Sequence, residues 1–236
     1  MELGEILGDA LVYPFQNIKA FAIYLILGII LGIAVAGTFA GMMAGVATDN
    51  ILAVIGSGII GIIVALFLGF FISGYELDII KYGIERSGGA PEIDFVRQFI
   101  NGIKYFVVSI VYMIIPIILS AILAIIFQHW LSLILTIIVA IIFAFALIMG
   151  QCRLAKTEDL VDALSIGEAI GDISKVGVVK LILFVIVITV LSLVLFFIVG
   201  LINKWNTVIG GILIGILGIY ISFFTARATG LLYSDV

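Results

Sequence analysis

Charge is scarce in this sequence. Of 236 residues, 11 are Lys or Arg and 15 are Asp or Glu, against 64% hydrophobic residues. Mean hydropathy is +1.43. A soluble domain carries about a quarter charged residues. A soluble globular enzyme is therefore excluded, and the bilayer is the solvent. One cysteine, Cys152, excludes an intrachain disulfide framework. One histidine, His129, leaves too few ligands for a Cys/His metal site. The formal net charge of -4 argues against nucleic acid as a partner. No motif calls for a cofactor. The opening Met1-Glu2-Leu3-Gly4-Glu5 is acidic where a secretory signal is basic. No lipobox-like cysteine lies near it, and no prenylation motif ends the chain. The start is read as mature sequence.

What is present is long apolar runs. Uncharged stretches cover residues 20–48, 50–75, 105–128, 130–152, 181–203 and 205–226, the boundaries being charged residues or His129. Each exceeds the roughly 20 residues a helix needs to cross the hydrocarbon. Backbone groups in lipid must be satisfied internally, and the interruptions are too few for barrel strands. Six transmembrane helices are predicted, in an all-α integral membrane protein. The first stretch is longer than one span needs. It reads as a helix to about Ala36, followed by a tilted or broken Gly-rich extension to Thr48.

The spans are joined in pairs by short links near Asp49-Asn50, Gln128-His129-Trp130 and Asn203-Lys204-Trp205-Asn206. This gives three helical hairpins with both termini on one side. That side carries ten of the Lys and Arg residues, and the other carries only Lys204. The positive-inside rule then makes both termini cytoplasmic, in the cell membrane. Fourteen of the 15 carboxylates fall there too, so the face is not a polybasic recruiter of anionic lipid. Trp130 and Trp205 mark the outer interface. Tyr75, Tyr105 and Tyr233 are expected at the inner one.

An internal repeat is legible. Gly4-Glu5-Ile6-Leu7-Gly8-Asp9 recurs as Gly167-Glu168-Ala169-Ile170-Gly171-Asp172. Leu3, Ile6, Leu7 and Ala10 share helical spacing with Ile166, Ala169, Ile170 and Ile173. Phe95, Val96, Phe99, Ile100 and Ile103 form a looser middle copy. The chain is read as one membrane domain, 1–236, in three repeats of about 1–75, 76–152 and 153–236. Each repeat is an amphipathic interfacial helix plus a hairpin. Ser165 with Glu168 fits a capping box. Gly88-Gly89-Ala90-Pro91 is a turn, with Glu92 and Asp94 expected in the first turn of the next helix. The interfacial helices are read as struts against the bundle or as a docking surface.

Small residues recur every four positions in the first span: Gly28, Gly32, Ala36, Ala40, Ala44, and separately Gly37, Gly41, Gly45. Such stripes let two helices approach closely. They predict packing against Gly56, Gly58 and Gly61 of the same hairpin, or self-association. Thr207, Gly211 and Gly215 repeat the pattern in the last span. Pro116 should kink the third span by removing a backbone donor.

No Asp, Glu, Lys, Arg or His lies within the six stretches. A charge at the bilayer centre costs roughly 2.5–3.5 kcal/mol on insertion scales and is kept only for function. Its absence argues against a proton pump, a voltage sensor or an ion-coupled antiporter. Intramembrane hydrolysis needs a nucleophile and base, or paired aspartates, at bilayer depth. Ser57 has no such partner. Glu158, Asp159 and Asp162 are too few for a convincing Mg²⁺ site and read as a solvated face. Cys152 is read as an unreactive thiol.

The run Ser73-Gly74-Tyr75-Glu76-Leu77-Asp78-Ile79-Ile80-Lys81-Tyr82-Gly83, with Pro91-Glu92-Ile93-Asp94-Phe95, Phe99-Ile100-Asn101-Gly102-Ile103-Lys104-Tyr105 and the opening Tyr13-Pro14-Phe15, carries a resemblance. It resembles a methanogen-rich archaeal membrane family catalogued as domain of unknown function 4013 (DUF4013), over nearly the whole chain. The heavy isoleucine usage fits such a source. The resemblance implies a multispan archaeal cell-membrane protein and transfers no activity and no catalytic residue. The leading expectation is a non-enzymatic structural, scaffolding or accessory subunit. Its partners would be membrane lipids and either itself, as a homo-oligomer, or other membrane subunits. The alternative is a transporter or channel-like protein for a small neutral or lipidic solute, which a polar cavity between the repeats would favour. A third reading, an enzyme acting on lipid, rests on Glu158, Asp159 and Asp162.

Overall fold

The computed structural model describes residues 1–127, 129–205 and 207–236; for residues 129, 203 and 207–211 the description is limited to the backbone. Nine helices and no strand lie among the described residues. In chain order they are α1 (Leu3–Gln16), α2 (Ile18–Ala47), α3 (Ile51–Ile84), α4 (Phe95–Ile126), α5 (His129–Thr157), α6 (Leu160–Ala163), α7 (Ile166–Val176), α8 (Val178–Trp205) and α9 (Thr207–Tyr233). Six of them, α2, α3, α4, α5, α8 and α9, are long and apolar enough to cross a membrane. At 1.5 Å per residue the 34 residues of α3 span about 51 Å. That exceeds the roughly 30 Å of hydrocarbon, so α3 carries its charged end, with Glu76, Asp78 and Lys81, beyond the core of the bilayer.

Several boundaries differ from expectation. The first span is one unbroken helix to Ala47, with no break after Ala36. In lipid a helix that stopped early would leave backbone groups unpaired. Glycine's helix penalty, about 1 kcal/mol in water, is small beside that cost. The middle amphipathic segment is not a separate helix either: Phe95 runs into the span as α4. The other two copies have a breaker between segment and span. Asn17 departs from helical backbone and donates through Nδ2 to the Tyr13 carbonyl at 3.0 Å. Gly177 takes φ +96°, a conformation only glycine adopts without strain. Nothing of the kind stands between Ile103 and Lys104.

Side-chain caps open several of the helices. Asn50 accepts from the Ala53 N–H (3.1 Å) to open α3, and Asp94 from the Arg97 N–H (3.1 Å) to open α4. Glu92 therefore precedes α4 and is not in its first turn. Ser165 makes no side-chain cap, and Glu168 turns instead to Arg153. The Glu5 carboxylate is the one that closes back, accepting from the Glu2 N–H at 3.0 Å. Helix α4 continues through Pro116.

The core sits at one end. Buried side chains gather on the last third of α3 (Ile72 to Ile80), the first half of α4 (Gln98 to Tyr112), the end of α5 (Ala146 to Ala155) and the end of α9 (Ile219 to Tyr233). The inner edges of α1 and α7 complete it. The other halves of the spans carry exposed Ile, Leu, Val and Phe, which lipid tails solvate without penalty. Tyr75 and Tyr233 lie inside this core, 1% and 3% exposed, and do not form an interfacial belt. Trp130 and Trp205 are exposed, at the opposite end.

Candidate functional site

Two glycine crossings build the base of the bundle. A Cβ at Gly74 would overlap the Gln98 backbone carbonyl, and one at Gly102 would overlap the Phe70 carbonyl. These are the two halves of one antiparallel α3–α4 crossing. On the other flank of α3, Gly83 faces the Cα of Gly230 in α9. Close approach of this kind leaves room for nothing larger than hydrogen, and it brings backbones into dispersion contact where apolar transfer drives nothing. Helices α3, α5 and α9 pack against one another in all three pairings.

Around these crossings the charged residues form a satisfied layer. Asp78, 4% exposed, accepts from Gln98 Nε2 (3.1 Å) and from an Arg97 guanidinium nitrogen (3.0 Å). Gln98, fully buried, accepts in turn from the Tyr24 hydroxyl at 2.6 Å, and Tyr24 stacks on Tyr75 with ring centres 4.2 Å apart. Arg227, 2% exposed, reaches Asp9 (2.7 Å) and the carbonyls of Ser87 (2.6 Å) and Tyr82 (3.2 Å). It also lies over the Tyr13 ring at 4.9 Å. Burial raises the Tyr13 phenol above its ordinary range. Arg153 holds Asp162, Glu168 and Asp172, the last at 3.1 Å. Asp172, fully buried, also takes Lys175 (2.6 Å) and the Tyr233 hydroxyl (2.6 Å). Burial works against the Asp172 carboxylate, but hydrogen bonds from Lys175, Tyr233 and Arg153 outweigh it and hold its pKa below the usual value. Among the described residues Arg97 Nε is the one buried polar side-chain atom left without a partner.

The two aspartates that end the repeated hexapeptides thus meet the same fate. Asp9 receives Arg227 from α9, and Asp172 receives Arg153 from α5. α1 packs on α9, α7 on α5, and the start of α4 on α3.

Within this layer lies a cavity of about 310 Å³ between α3, α4, α5 and α9. Its polar lining is Glu76, Tyr105, Gln151, Ser222, Thr225 and Thr229; Ile80 and Ile221 supply apolar wall. One Glu76 oxygen accepts from the Ser222 hydroxyl. Among the described residues no hydrogen bond reaches its other oxygen or the Tyr105 hydroxyl, and no Lys or Arg lies within ion-pairing distance. The Gln151 amide donates to Ser109 at 3.4 Å, leaving its carbonyl free. The ion-paired layer leaves one buried donor, Arg97 Nε, without a partner; the cavity gathers several polar groups around open space.

The residues singled out from sequence scatter. A Cβ at Gly28 would press on Ile219 of α9 (2.6 Å), at Gly41 on Ser57 (2.9 Å), and at Gly45 on Val54 (2.7 Å). Gly32 and Gly37 have nothing within 4 Å, and Gly215 has only Ile29 at 3.8 Å. The surroundings of Gly211 lie outside the described residues. Gly61 faces Thr38, Gly58 meets only the Met42 sulfur at 3.8 Å, and Gly56 meets nothing. The Ser57 hydroxyl bonds its own helix, at the Ala53 carbonyl (2.7 Å). Cys152 is fully buried beside the Thr229 carbonyl. The three acids near 160 separate: Glu158 pairs with Lys81 (2.5 Å), Asp159 caps α6 through the Val161 N–H (2.9 Å), and Asp162 joins Arg153. The Lys81 hydrogen bond holds Glu158 below the usual carboxylate pKa. No group of three His, Cys, Asp or Glu able to hold a metal occurs among the described residues.

The sequence pass missed Gly74, Gly102, Gly83 and Gly230 as close contacts, and it missed Glu76 as a cavity residue. Gly74, Glu76, Gly83 and Gly102 lie inside the runs that carry the family resemblance; Gly230 does not.

A multispan membrane protein, all-α and sealed at one end by buried ion pairs, is what fold and site define. The family model for protein of unknown function DUF4013 matches residues 58–204, more than half of the chain. The chain belongs to that family, whose description states no activity. No curated protein and no solved structure matches it.

Proposed function

We propose that the protein is a non-enzymatic, solute-handling membrane protein that receives a small polar molecule in the cavity between α3, α4, α5 and α9. The single observation behind the reading is that cavity, with polar groups that the chain itself leaves unpartnered. It lies between the second and third proposed repeats (76–152 and 153–236), which supply all of its lining. The positive-inside count supports a cell-membrane orientation with both termini cytoplasmic. The cavity then sits at the cytoplasmic boundary of the hydrocarbon.

Native mass spectrometry of gently extracted protein tests the reading. The wild type should retain a small-molecule mass that Thr225→Leu, which narrows the cavity and removes one of its hydroxyls, loses. Equal spectra for the two proteins would refute it.

A second reading, assembly with another copy or another subunit, draws on one observation. Gly32, Ala36 and Ala40 are exposed at four-residue spacing on α2, and nothing of the chain lies against Gly32, so they form a stripe where a foreign helix could lie close. Copurifying subunits in the same spectra would support it.

A further inference from the structure

We infer that the cavity is a site for a small organic ammonium cation, with the Glu76 carboxylate as its counter-charge. The inference rests on the solute-handling reading and names the class of solute. The two carboxylates buried in the base have a cation of their own: Asp78 has Arg97, and Asp172 has Arg153 and Lys175; the exposed Asp9 has Arg227. Glu76 has only the Ser222 hydroxyl on one oxygen. Glu76 is half-buried, and a carboxylate partly withdrawn from water is stabilised by a cation and by hydrogen bonds. Here the chain supplies part of the hydrogen bonding and none of the positive charge. The missing partner is the ligand.

The lining decides what kind of cation. Ca²⁺ takes six to eight oxygens and Mg²⁺ a near-ideal octahedron, usually with more than one carboxylate or with retained waters. One carboxylate among neutral hydroxyls and a single amide does not provide the charge these ions take, and no acidic cluster lies nearby among the described residues. At roughly 30 Å³ per water, 310 Å³ holds about ten waters, far more than an ion. An alkylammonium matches both features. Its three N–H donors suit the free Glu76 oxygen, the Tyr105 hydroxyl and the Gln151 carbonyl. Its carbon chain suits Ile80 and Ile221.

Purified protein is titrated with propylammonium, 1-propanol and propionate, with binding followed by saturation-transfer NMR. Propylammonium should bind, the other two at least tenfold more weakly. Glu76→Gln keeps an acceptor for Ser222 and loses the charge; it should weaken propylammonium at least tenfold. Tyr105→Phe, a milder change, should weaken it severalfold if Glu76→Gln fails to fold. Nanodiscs with and without phosphatidylethanolamine separate the sources: competition assigns the site to a lipid headgroup amine, its absence to a free amine. Equal binding of 1-propanol and propylammonium, unchanged in Glu76→Gln, overturns the cation and leaves the solute reading standing. Binding of none of the three by monodisperse protein overturns both.

Discussion

Gly74→Ala puts a methyl group into a helix crossing where a Cβ has no room. The Cβ would sit on a backbone carbonyl, that of Gln98, which no side-chain rotation can move away. A carbon and a carbonyl oxygen tolerate about 3.3–3.6 Å, so α3 and α4 must part by on the order of 1 Å. Overpacking of this kind costs about 3 kcal/mol. The same movement loosens two buried hydrogen bonds that Gln98 makes, to Asp78 (3.1 Å) and from Tyr24 (2.6 Å), each worth about 1 kcal/mol. The expected destabilisation is about 4 kcal/mol or more. Cys152, the sole cysteine and fully buried, provides the assay. A thiol reagent modifies it only when the base opens, and where opening is fast the rate tracks the open population. At 1.36 kcal/mol per tenfold, Gly74→Ala should react about 10³-fold faster than wild type. Gly32→Ala and Gly37→Ala, with nothing within 4 Å, should stay within about fivefold. Gly74→Ala labelling at the rate of Gly32→Ala would refute the close-crossing argument.

Three further outcomes are expected. The Asp172 carboxyl is held low in the folded protein; its contribution is complete above the unfolded value, about 3.9, and is lost as pH falls through the folded value. Wild-type thermal stability should therefore decline below about pH 4, and Asp172→Asn should start lower and decline less; parallel pH profiles would contradict this. Arg227→Lys keeps the charge but loses the fork that joins Asp9, Ser87 and Tyr82, so hydrogen exchange across residues 3–16 should rise at least tenfold while residues 166–176 stay protected. For orientation, a cysteine at exposed Thr48 should react with an impermeant maleimide from outside the cell and one at Gly89 should not; the reverse pattern would invert the topology.

Much of the scaffold was legible because lipid enforces it. The apolar runs had to become helices, and α1 and α7 announced themselves through Ile6 and Ala10 against Ala169 and Ile173. Their anchoring was half visible. Asp9 and Asp172 stood out as repeated residues, but which arginine each would meet depends on how α9 and α5 pass, a fact of tertiary register. The α2 stripe drew attention through its four-residue period, yet only Gly28, Gly41 and Gly45 of its glycines meet a close neighbour within the chain. The tighter contacts at Gly74 and Gly102 involve single glycines on two helices and leave no periodic trace. Glu76 read as an ordinary charge at a span end because a cavity is a property of four helices together. Here the sequence gives residue type and depth, and the fold gives company.

The central claim is that the cavity at Glu76 handles a small polar solute. Stopped-flow light scattering on proteoliposomes tests it most directly, with small amines and neutral solutes presented in turn. Wild-type vesicles should admit an amine faster than empty vesicles do, and Thr225→Leu should abolish the difference. Identical rates for wild-type, Thr225→Leu and empty vesicles across the panel would contradict it.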